Sequence, residues 1–320
     1  MNCPVLSNEE RARVGTAYKQ ISPFDARKVG AALVAKNVAW HLETHFASRD
    51  QHWKPLIYCW RGGKRSGSMT LILREVGWDA ASLYGGYQGY RRAMLAQLEE
   101  LPMRYAYRVI CGPTGSGKSR LLQTLAAHGA QVLDLEALAR HRGSVLGDLP
   151  GDPQPAQKMF ESLIWSALRK FDGARPVFVE AESRKIGALR VPEVLLERMR
   201  ESSCVRIEAP AALRVQFLIA EYRHFLAEPA WLKTQLLRLT ALHSKATVTR
   251  WIAQIDAGEW ELLVGNLLAA HYDPAYLHSM EKNYPGLAEA SLLNVACLDE
   301  TGFRHGAAAL LEAEFPDARA

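Results

Sequence analysis

The fold is decided by the stretch Tyr105-Ala106-Tyr107-Arg108-Val109-Ile110-Cys111-Gly112-Pro113-Thr114-Gly115-Ser116-Gly117-Lys118-Ser119. Its first half predicts a buried strand, and its second half matches G-x-x-x-x-G-K-[ST], the P-loop pattern, where a helix begins. Gly112, Gly115 and Gly117 let the backbone wrap a phosphate at the helix N-terminus, while Lys118 adds positive charge and Ser119 can bind Mg²⁺. We therefore expect an α/β domain with a parallel sheet over residues 104–210, which binds a diphosphate or triphosphate.

Polar residues follow the next two predicted strands. Gln131-Val132-Leu133 leads into Asp134-Leu135-Glu136, and the buried strand Pro176–Glu180 ends in an acid. Since α/β sheets bind ligands at the carboxyl ends of their strands, we expect a polar site made of Asp134, His141, Arg142, Glu180, Glu182 and Arg184. Two alternatives stay open: residues 141–144 form a solvated turn, or Glu182 and Arg184 form a local ion pair. No set of metal ligands is predicted beyond Mg²⁺ at the P-loop.

A second glycine-rich loop lies upstream, in Leu56-Ile57-Tyr58-Cys59-Trp60-Arg61-Gly62-Gly63-Lys64-Arg65-Ser66. It predicts a strand, an anion-binding loop and a helix. Backbone N–H groups at a helix N-terminus favour a thiolate, and nearby cations lower a thiol pKa. The alternative is an inert cysteine at the end of a buried strand. We expect Cys59 to be catalytic, in a loop that holds an anion through Arg61, Gly62, Gly63, Lys64, Arg65 and Ser66.

Composition sets wider bounds. The 320 residues suffice for two domains, with 48% hydrophobic and 23% charged residues. The net charge of +5 and the sequence pI of about 8.9 permit nucleic-acid binding without requiring it. Five scattered cysteines without CxxC spacing argue against a disulfide framework or a zinc site. No apolar run is long enough for a membrane span, and we expect a cytoplasmic protein.

Two further regions could bind RNA or phosphate. From Pro210 onward the pattern predicts a helical region with a basic bias, carried by Arg214, Arg223, His224, Lys233, Arg238, His243, Lys245 and Arg250. It predicts a phosphate-binding lid or a tRNA surface, and a solvated helix face explains each residue equally well. Around the Gly85-Gly86 turn, Tyr84, Tyr87, Tyr90, Arg91 and Arg92 either contact an RNA base or phosphate or pack the domain edge.

These motifs resemble one family. Cys59–Ser66 resembles the active-site loop of rhodanese-type sulfurtransferases and, with Leu83–Tyr87, is similar to the tRNA 2-selenouridine synthases. Three motifs after the P-loop are similar to the same family, namely Asp134–Ser144, Gln157–Glu161 and Glu180–Gly187. The resemblance covers nearly the whole chain from residue 4 onward.

The resemblance implies a domain order. A rhodanese-like α/β domain is expected over residues 1–100, the P-loop domain over 104–210, and a helical region over 211–320 packed on the P-loop domain. Family members usually carry an upstream strand with Asp-x-Arg and a Gly-His-x-Pro-Gly turn. Residues 1–55 predict neither this strand nor this turn, so we expect an N-terminally short first domain.

The resemblance also implies a reaction. Family enzymes are transferases that replace the sulfur of wobble 2-thiouridine in tRNA by selenium from selenophosphate, through an S-geranyl intermediate made from geranyl diphosphate. Cys59 would receive or relay selenium, the P-loop would hold geranyl diphosphate, and no bound redox cofactor is expected. The alternatives are a P-loop kinase or NTPase with a degenerate rhodanese appendage, and a non-catalytic tRNA-binding or persulfide-carrier protein.

Overall fold

The structure is a computed structural model that describes residues 1–314. The chain forms two compact units, Met1–Ala96 and Gln97–Ala320. The last six positions of the predicted helical region, 315–320, lie outside the described residues. Within 1–314, no helix is both long enough and apolar enough to cross a membrane.

The first unit is mainly helical. Its elements are α1 (Asn8–Gln20), α2 (Pro23–His41), a π-helical turn (Leu42–Phe46), β1 (Leu56–Ile57), α3 (Lys64–Glu75), β2 (Ala81–Ser82) and the start of α4 (Gly86–Glu100). Ser7 caps α1 with a capping box, because its hydroxyl accepts from the N–H of Glu10 while the Glu10 carboxylate accepts from the N–H of Ser7.

The sheet of the first unit is small. β1 and β2 pair in parallel through two residues each, with Leu56 opposite Ala81. A core of buried residues lies around it, consisting of Val5, Val38, Phe46, Met69, Leu73, Trp78 and Ala80. Two strands of two residues do not define a rhodanese sheet, so the rhodanese-like character of this unit stays a prediction.

The second unit contains a parallel sheet. In chain order, its first elements after α4 are β3 (Tyr107–Cys111), α5 (Lys118–Ala127), β4 (Gln131–Leu133), α6 (Leu135–Ala139), α7 (Gln157–Leu168), β5 (Val177–Glu180), the hairpin of β6 (Lys185–Ile186) and β7 (Leu189–Arg190), and α8 (Glu193–Arg200). The rest consists of β8 (Ser203–Glu208), α9 (Ala211–Glu221), α10 (Arg223–Ala227), α11 (Pro229–Leu237), α12 (Lys245–Ala257), α13 (Trp260–Leu267), α14 (Asp273–Asn283), β9 (Ser291–Asn294) and α15 (Glu300–Glu314). Short 3₁₀ or π turns cover Leu101–Arg104, Arg238–Ala241, Leu268–Tyr272 and Pro285–Glu289.

The strand order is β4-β5-β3-β8-β9, and every pairing is parallel. The central strand β3 is buried on both faces, as expected for a parallel sheet covered by helices, which gives its apolar run Val109-Ile110-Cys111. This confirms the predicted α/β class. After β3 the chain crosses to β4 on one side of β3, and after β5 it crosses to β8 on the other side. The P-loop at the end of β3 therefore lies where the strand order reverses, which is the usual ligand position in such sheets.

The C-terminal region differs from the prediction. Helices α9 to α14 form much of it, with a core around the fully buried Trp251. However, β9 adds a fifth strand beside β8, and α15 covers α5 through Phe303, Ala307 and Leu310. The region is therefore not purely helical. The four residues Ser291–Asn294 lack the alternation of apolar and polar side chains that predicts a strand. They form a strand because they pair with the edge of β8.

Candidate functional site

The P-loop joins β3 to α5 and packs tightly against later helices. Gly117 is the N-cap of α5 with φ of 82°, and a Cβ added there would lie 2.5 Å from Cε1 of Phe303. A Cβ added at Gly115 would lie 2.9 Å from the Leu218 side chain. Lys118 Nζ donates to the carbonyl of Gly112 at 2.8 Å, so its ammonium group curls over the loop. The N–H groups at the start of α5 are thus held in a fixed, helix-lined cradle.

The P-loop opens onto a cleft of about 630 Å³. Its lining includes P-loop residues and most of the predicted polar residues, namely Gly115, Gly117, Lys118, Ser119, Asp134, His141, Arg142, Glu180 and Glu182. The volume lies within the usual range for small-molecule sites, about 300–1,000 Å³. The structure therefore brings together residues from the carboxyl ends of three strands and places them beside the P-loop.

Three carboxylates meet in this cleft. Oxygen atoms of Glu136, Glu180 and Glu182 lie within 4.8 Å of one another, and Ser119 Oγ donates to Glu136 Oε2 at 3.0 Å. The sequence predicted no such ligand set, because Glu136 reaches the other two only through the pairing of β4 with β5. Asp134 lines the cleft as well, but its carboxylate caps α6 by accepting from the N–H of Ala137 at 2.8 Å.

Burial raises the pKa values of all three carboxyl groups. Burial raises the pKa of Glu136 to about 7, although Lys118 and the Ser119 hydroxyl act in the opposite direction. Burial and the neighbouring carboxylates raise the pKa of Glu180 and Glu182 well above the ordinary value. Glu180 Oε1 is buried without a hydrogen-bond partner. Carboxylate oxygens beside a P-loop hydroxyl are ligands that suit Mg²⁺. These residues therefore fit the Mg²⁺ ion that usually accompanies a bound diphosphate or triphosphate.

His141 and Arg142 have structural partners. His141 is only 4% exposed, its Nδ1 accepts from the N–H of Gly143 at 3.1 Å, and its Nε2 lies 3.5 Å from Asp148 Oδ1. Burial lowers the pKa of His141, although Asp148 acts in the opposite direction. His141 is therefore buried, while residues 142–144 are half-buried, so this segment is not the fully solvated turn of the alternative.

Arg184 is not at the cleft. It donates to both carboxylate oxygens of Glu193 at 2.9 Å, and both side chains are more than half exposed. The β6–β7 hairpin begins directly after Arg184, and β7 leads to Glu193 at the start of α8. The expectation that Arg184 faces the phosphate site is therefore wrong. The alternative of an ion pair between Arg184 and Glu182 is wrong as well, because the partner of Arg184 is Glu193.

Glu221 joins two arginines at the cleft and was missed by the sequence analysis. Arg120 donates to Glu221 Oε1 through Nε at 2.9 Å and Nη2 at 2.6 Å. Arg142 donates to Glu221 Oε2 at 3.1 Å. Burial alone would raise the pKa of Glu221, but these two guanidinium groups lower it below its ordinary value. Both arginines line the cleft, so the carboxylate holds two cationic side chains in place there.

Arg214 braces the P-loop from α9. Its Nε donates to the Thr114 carbonyl at 2.8 Å, and its other nitrogens donate to Asp273 Oδ1 and Oδ2 at 2.5 and 3.1 Å. It is 5% exposed, so it is no part of a basic surface. Lys233 and Arg238 also pair with carboxylates, Asp256 and Asp148. The basic bias of this region is therefore partly neutralised inside the unit.

Tyr284 fixes the end of β5. Its hydroxyl accepts from the N–H of Glu182 at 3.0 Å and donates to the carbonyl of the same residue at 2.9 Å. Tyr284 is 1% exposed. This contact holds the Glu182 backbone from a residue about one hundred positions later, which no local sequence signal could have indicated.

An apolar pocket adjoins the cleft. It has a volume of about 80 Å³ and shares Thr114, Ser144, Leu218, Tyr222 and Tyr272 with the cleft lining. Its remaining walls are apolar: Leu146 comes from the loop after α6, and the others come from the helical region, namely Ile219, Phe225, Leu226, Leu232, Trp260, Leu263, Val264, Leu267 and Leu268. A ligand with a charged head on the P-loop and a hydrocarbon tail therefore has an apolar place for that tail.

The Cys59 loop lies in the first unit. Cys59 follows β1, and Gly63, with φ of 68°, is the N-cap of α3. Ser66 is 2% exposed, and its Oγ lies 3.4 Å from Cys59 Sγ and 3.1 Å from the Gly63 carbonyl. The Tyr87 N–H donates to the Cys59 carbonyl at 2.8 Å. The thiol thus lies at the N-terminus of α3 with the Gly85-Gly86 turn against its backbone.

The environment of Cys59 favours the thiolate. Burial alone would raise its pKa, but the Ser66 hydroxyl, the N–H groups of Ser66 and Gly63, and the charge of Arg65 together lower it below the ordinary value. Arg61 and Lys64 are exposed on the same loop. By contrast, burial raises the pKa of Cys3, and the neighbouring Asp299 raises that of Cys297. The loop therefore distinguishes Cys59 from two cysteines of similar exposure.

Comparisons with known proteins bear on both loops. Residues 105–235 match the family profile described as the tRNA 2-selenouridine synthase AAA domain. Proteins named tRNA 2-selenouridine synthase are similar over much of the chain. The one from Nitrosomonas europaea is 38% identical over 69% of this chain and 58% of its own length. Those from Bdellovibrio bacteriovorus and Aeromonas salmonicida are each 32% identical, over 89% and 95% of this chain and 85% and 88% of their own lengths.

The shared length varies among these relatives. The matched part spans 58% of the Nitrosomonas europaea protein and 64% of the Nitrosomonas eutropha protein. Among solved structures, a gluconokinase from Sinorhizobium meliloti 1021 aligns with 67% of this chain and 97% of its own, at 16% identity and a TM-score of 0.28. That score is too low to support any conclusion.

Proposed function

This chain belongs to the tRNA 2-selenouridine synthase family, and we propose that it replaces the sulfur of 2-thiouridine in tRNA by selenium. The relatives that share the family name support the tRNA substrate and the selenation. We further propose that selenophosphate is the selenium donor and that geranyl diphosphate is a co-substrate of the P-loop unit.

One observation carries the geranyl proposal: the P-loop cleft shares five lining residues with an apolar pocket. A P-loop binds the diphosphate of any ligand, so the group attached to the diphosphate must be selected elsewhere. Each buried methylene contributes roughly 0.8 kcal/mol to binding. Because a cavity of about 150 Å³ takes benzene, a pocket of about 80 Å³ takes part of a ten-carbon chain. The rest of the chain would lie along Phe217 and Val145 in the cleft.

In the first proposed step, the sulfur of 2-thiouridine attacks C1 of geranyl diphosphate. An S–C bond forms, the C1–O bond breaks, and diphosphate leaves. Lys118 would turn from the Gly112 carbonyl to the diphosphate oxygens, and the N–H groups at the start of α5 would bind the same oxygens. Mg²⁺ held by Ser119 and the Glu136, Glu180 and Glu182 carboxylates would neutralise the charge of the diphosphate.

In the second proposed step, the selenium of selenophosphate bonds to C2 of the base, and the C2–S bond breaks with loss of geranylthiol. Water then cleaves the P–Se bond and releases phosphate. The Cys59 loop offers N–H groups and the cation Arg65 to an anionic selenium or phosphate group. Cys59 would contact the bound selenophosphate and orient its selenium toward C2, and because no S–Se bond forms, this step needs no oxidant.

The test is mass spectrometry of nucleosides after 2-thiouridine-containing tRNA is incubated with the protein, selenophosphate and geranyl diphosphate. We expect 2-selenouridine from the wild type. Cys59→Ala should yield geranylated thiouridine without selenium, and Lys118→Ala should lose the geranyl step. Arg184→Ala serves as a control, because Arg184 pairs with Glu193 away from the cleft. Full selenation by both the Cys59 and the Lys118 variants would overturn the proposal.

A P-loop kinase or NTPase is the second candidate, because three carboxylates beside a P-loop hydroxyl would serve Mg-ATP equally well. It predicts Mg-dependent ATP hydrolysis that tolerates Cys59→Ala. The third candidate, a tRNA-binding or persulfide-carrier protein, predicts salt-sensitive tRNA binding and no modified nucleoside.

A further inference from the structure

A pair of histidines lies at the P-loop cleft and takes no part in the two steps described above. His243 Nε2 lies 3.1 Å from His271 Nδ1, and the two rings meet edge to face with their centroids 5.1 Å apart. His271 lines the cleft. Histidine is the side chain that most readily takes up and releases a proton near neutral pH. The pair is therefore placed to exchange a proton with a ligand in the cleft.

The chain around His271 is tied to the P-loop. His271 lies in the π-helical turn Leu268–Tyr272, and such turns are frequent at functional sites. Two residues later, Asp273 pairs with Arg214, whose Nε donates to the Thr114 carbonyl of the P-loop at 2.8 Å. These contacts place His271 beside the loop that would bind the diphosphate.

The hydrogen bond between the two rings leaves one nitrogen of His271 for the cleft. Nδ1 of His271 is committed to His243, and among the described residues none hydrogen-bonds to Nε2 of His271. In the tautomer in which Nδ1–H donates to His243, Nε2 carries a lone pair and can accept a proton. Once Nε2 is protonated, the same Nδ1–H donates from a cationic ring, which strengthens that hydrogen bond. His243 thus favours uptake of a proton at Nε2.

The surroundings keep His271 neutral near pH 7. Burial and the neighbouring His243 lower the pKa of His271 below its ordinary value of 6.5. The Tyr272 ring contacts the His271 ring, and burial raises the pKa of Tyr272 to about 12, so this group carries no charge near pH 7. Asp273 is paired with Arg214. A neutral imidazole is the form that acts as a base.

Other titratable groups lie on the elements packed against this turn. Glu261 on α13 accepts a hydrogen bond from a glutamine, and burial raises the pKa of Tyr276 on α14. The cleft adds Lys118, the two arginines paired with the α9 carboxylate, and the three carboxylates proposed for Mg²⁺. The exposed groups on α14 are His278, Glu281 and Lys282. Because a variant of His271 keeps all of these groups, the ratio of its rate to that of the wild type isolates the titration of His271.

The proposed geranyl step requires a base. The thioamide of 2-thiouridine carries a proton on N3, and this proton must leave when the sulfur is alkylated, because C2=S becomes C2–S and a C2=N3 double bond forms. Lys118 is assigned to the diphosphate oxygens, and the three carboxylates are assigned to Mg²⁺. The proton therefore needs another acceptor at the cleft.

We infer that His271 is the catalytic base of the geranyl step and that His243 positions it. As the S–C1 bond forms, the C1–O bond breaks and its electron pair leaves with the diphosphate. The N3–H bond breaks at the same time, its electron pair forms the C2=N3 double bond, and the proton goes to Nε2 of His271. The inference rests on the proposed function, which makes 2-thiouridine and geranyl diphosphate the reactants, and adds the group that takes the proton.

The test follows the geranyl step alone, with the full chain, 2-thiouridine-containing tRNA and geranyl diphosphate but no selenophosphate. Single-turnover rates are measured by nucleoside mass spectrometry from about pH 7 to about pH 9. His271→Ala should react about 100-fold more slowly than the wild type at pH 7, since a positioned base contributes at least this factor. The deficit should then shrink about tenfold per pH unit, because a base is no longer needed once N3–H ionises by itself.

Further variants separate a base from a structural residue. His271→Gln, which keeps a polar side chain but cannot titrate in this range, should show the same pH-dependent deficit, and added imidazole should partly restore the rate of His271→Ala. His243→Ala should slow the step about tenfold, while His243→Gln, which keeps an acceptor for Nδ1–H, should recover most of the rate. His278→Ala is the matched control, because His278 is exposed on α14 and does not line the cleft.

The outcomes distinguish the inference from the proposed function. If the wild type forms geranylated thiouridine and His271→Gln matches its rate at pH 7, the inference is wrong while the geranyl step stands. A deficit that stays constant from about pH 7 to about pH 9 in both His271 variants also overturns it, since a loss of structure does not depend on ionisation of the substrate. If the wild type forms no geranylated thiouridine, the proposed geranyl step fails, and the inference fails with it.

Discussion

The Cys59 loop and the P-loop have the same local design in two different surroundings. Each joins a strand to a helix, and each uses a glycine with positive φ as the N-cap, Gly63 at 68° and Gly117 at 82°. A Cβ added at Gly63 would meet nothing within 4 Å, whereas one added at Gly117 would collide with Phe303. A similar turn is therefore open in one unit and enclosed by distant elements in the other.

The two loops also differ in charge. The Cys59 thiol lies near Arg65 and backbone N–H groups, and its pKa is lowered. The P-loop faces three carboxylates whose pKa values are raised, with Lys118 as a nearby cation. The local motif thus provides N–H groups for an anion, while the surrounding side chains determine which further ions the loop can bind. The first loop suits an anion directly, and the second suits an anion together with a cation.

The largest expected effect concerns the enclosure of the P-loop. Arg214→Ala should reduce the free energy of unfolding of the second unit by about 3 kcal/mol, because it removes a buried guanidinium from Asp273 and the Thr114 carbonyl. Arg238→Ala is the matched control, since its pair with Asp148 is about half exposed and should contribute about 1 kcal/mol or less. Urea unfolding provides the measurement. Equal losses for the two variants would show that the P-loop is not braced by Arg214.

A second effect, of similar size to the Mg²⁺ effect below, separates the two anion sites. Lys118→Ala should weaken binding of geranyl diphosphate about 30-fold or more, since it removes a charge-assisted contact to phosphate, while Cys59→Ala should leave the affinity unchanged. Isothermal titration calorimetry measures both. A comparable loss in Cys59→Ala would mean that the diphosphate binds at the first loop, contrary to the comparison.

The carboxylates predict a pH and metal dependence. Because the pKa of Glu136 rises from 4.5 to about 7 on folding, its contribution to stability is complete below pH 4.5 and is lost as the pH rises through about 7. Mg²⁺ at a hundredfold excess over its dissociation constant should restore about 2.7 kcal/mol. That corresponds to several degrees in the Tm of the second unit.

Glu180→Gln should reduce this Mg²⁺ effect, because it removes one of the three carboxylates. The control is Glu193→Gln, which alters an exposed carboxylate paired with Arg184. Differential scanning calorimetry at about pH 8, with and without Mg²⁺, measures the Tm. An identical rise in Tm with Mg²⁺ in wild type and Glu180→Gln would show that Glu180 does not bind the metal ion.

The smallest effect concerns the thiol. Cys59 should react with iodoacetamide at a lower pH than Cys3 and Cys297, since its pKa is lowered and theirs are raised. Ser66→Ala should raise the pKa of Cys59 and slow its alkylation near neutral pH about three- to tenfold, because the thiolate loses a hydrogen bond. Ser68→Ala, on the same helix but bonded to the Lys64 carbonyl, should leave the rate unchanged. Peptide mass spectrometry across a pH series measures each rate, and a slower reaction of Cys59 than of Cys3 would contradict the lowered pKa.

Local spacing predicted some site residues and misplaced others. Glu180 and Glu182 follow a strand that was recognised from its apolar run, and both face the cleft. Arg184 is only two residues further, yet the hairpin after it directs its side chain to Glu193. His141 was open to interpretation as a solvated residue, but a Cβ at Gly147 or Gly187 would come within 3 Å of its ring. Close packing from Gly147 in the same loop and from Gly187 in the β6–β7 hairpin makes it a buried residue.

The sequence by itself determined the two strand–loop–helix turns, since the residues that shape each of them are contiguous. Glycines that permit positive φ, the start of the following helix and the cysteine or lysine are close neighbours in the sequence, at Cys59–Ser66 and at Gly112–Ser119. Only the tertiary structure decided that β9 completes the sheet, that Arg214 and Tyr284 brace the P-loop cleft, and that an apolar pocket opens beside it. These features join residues about one hundred positions apart. Backbone propensity acts over a few residues, whereas such contacts form only when burial of apolar faces brings distant helices and strands together.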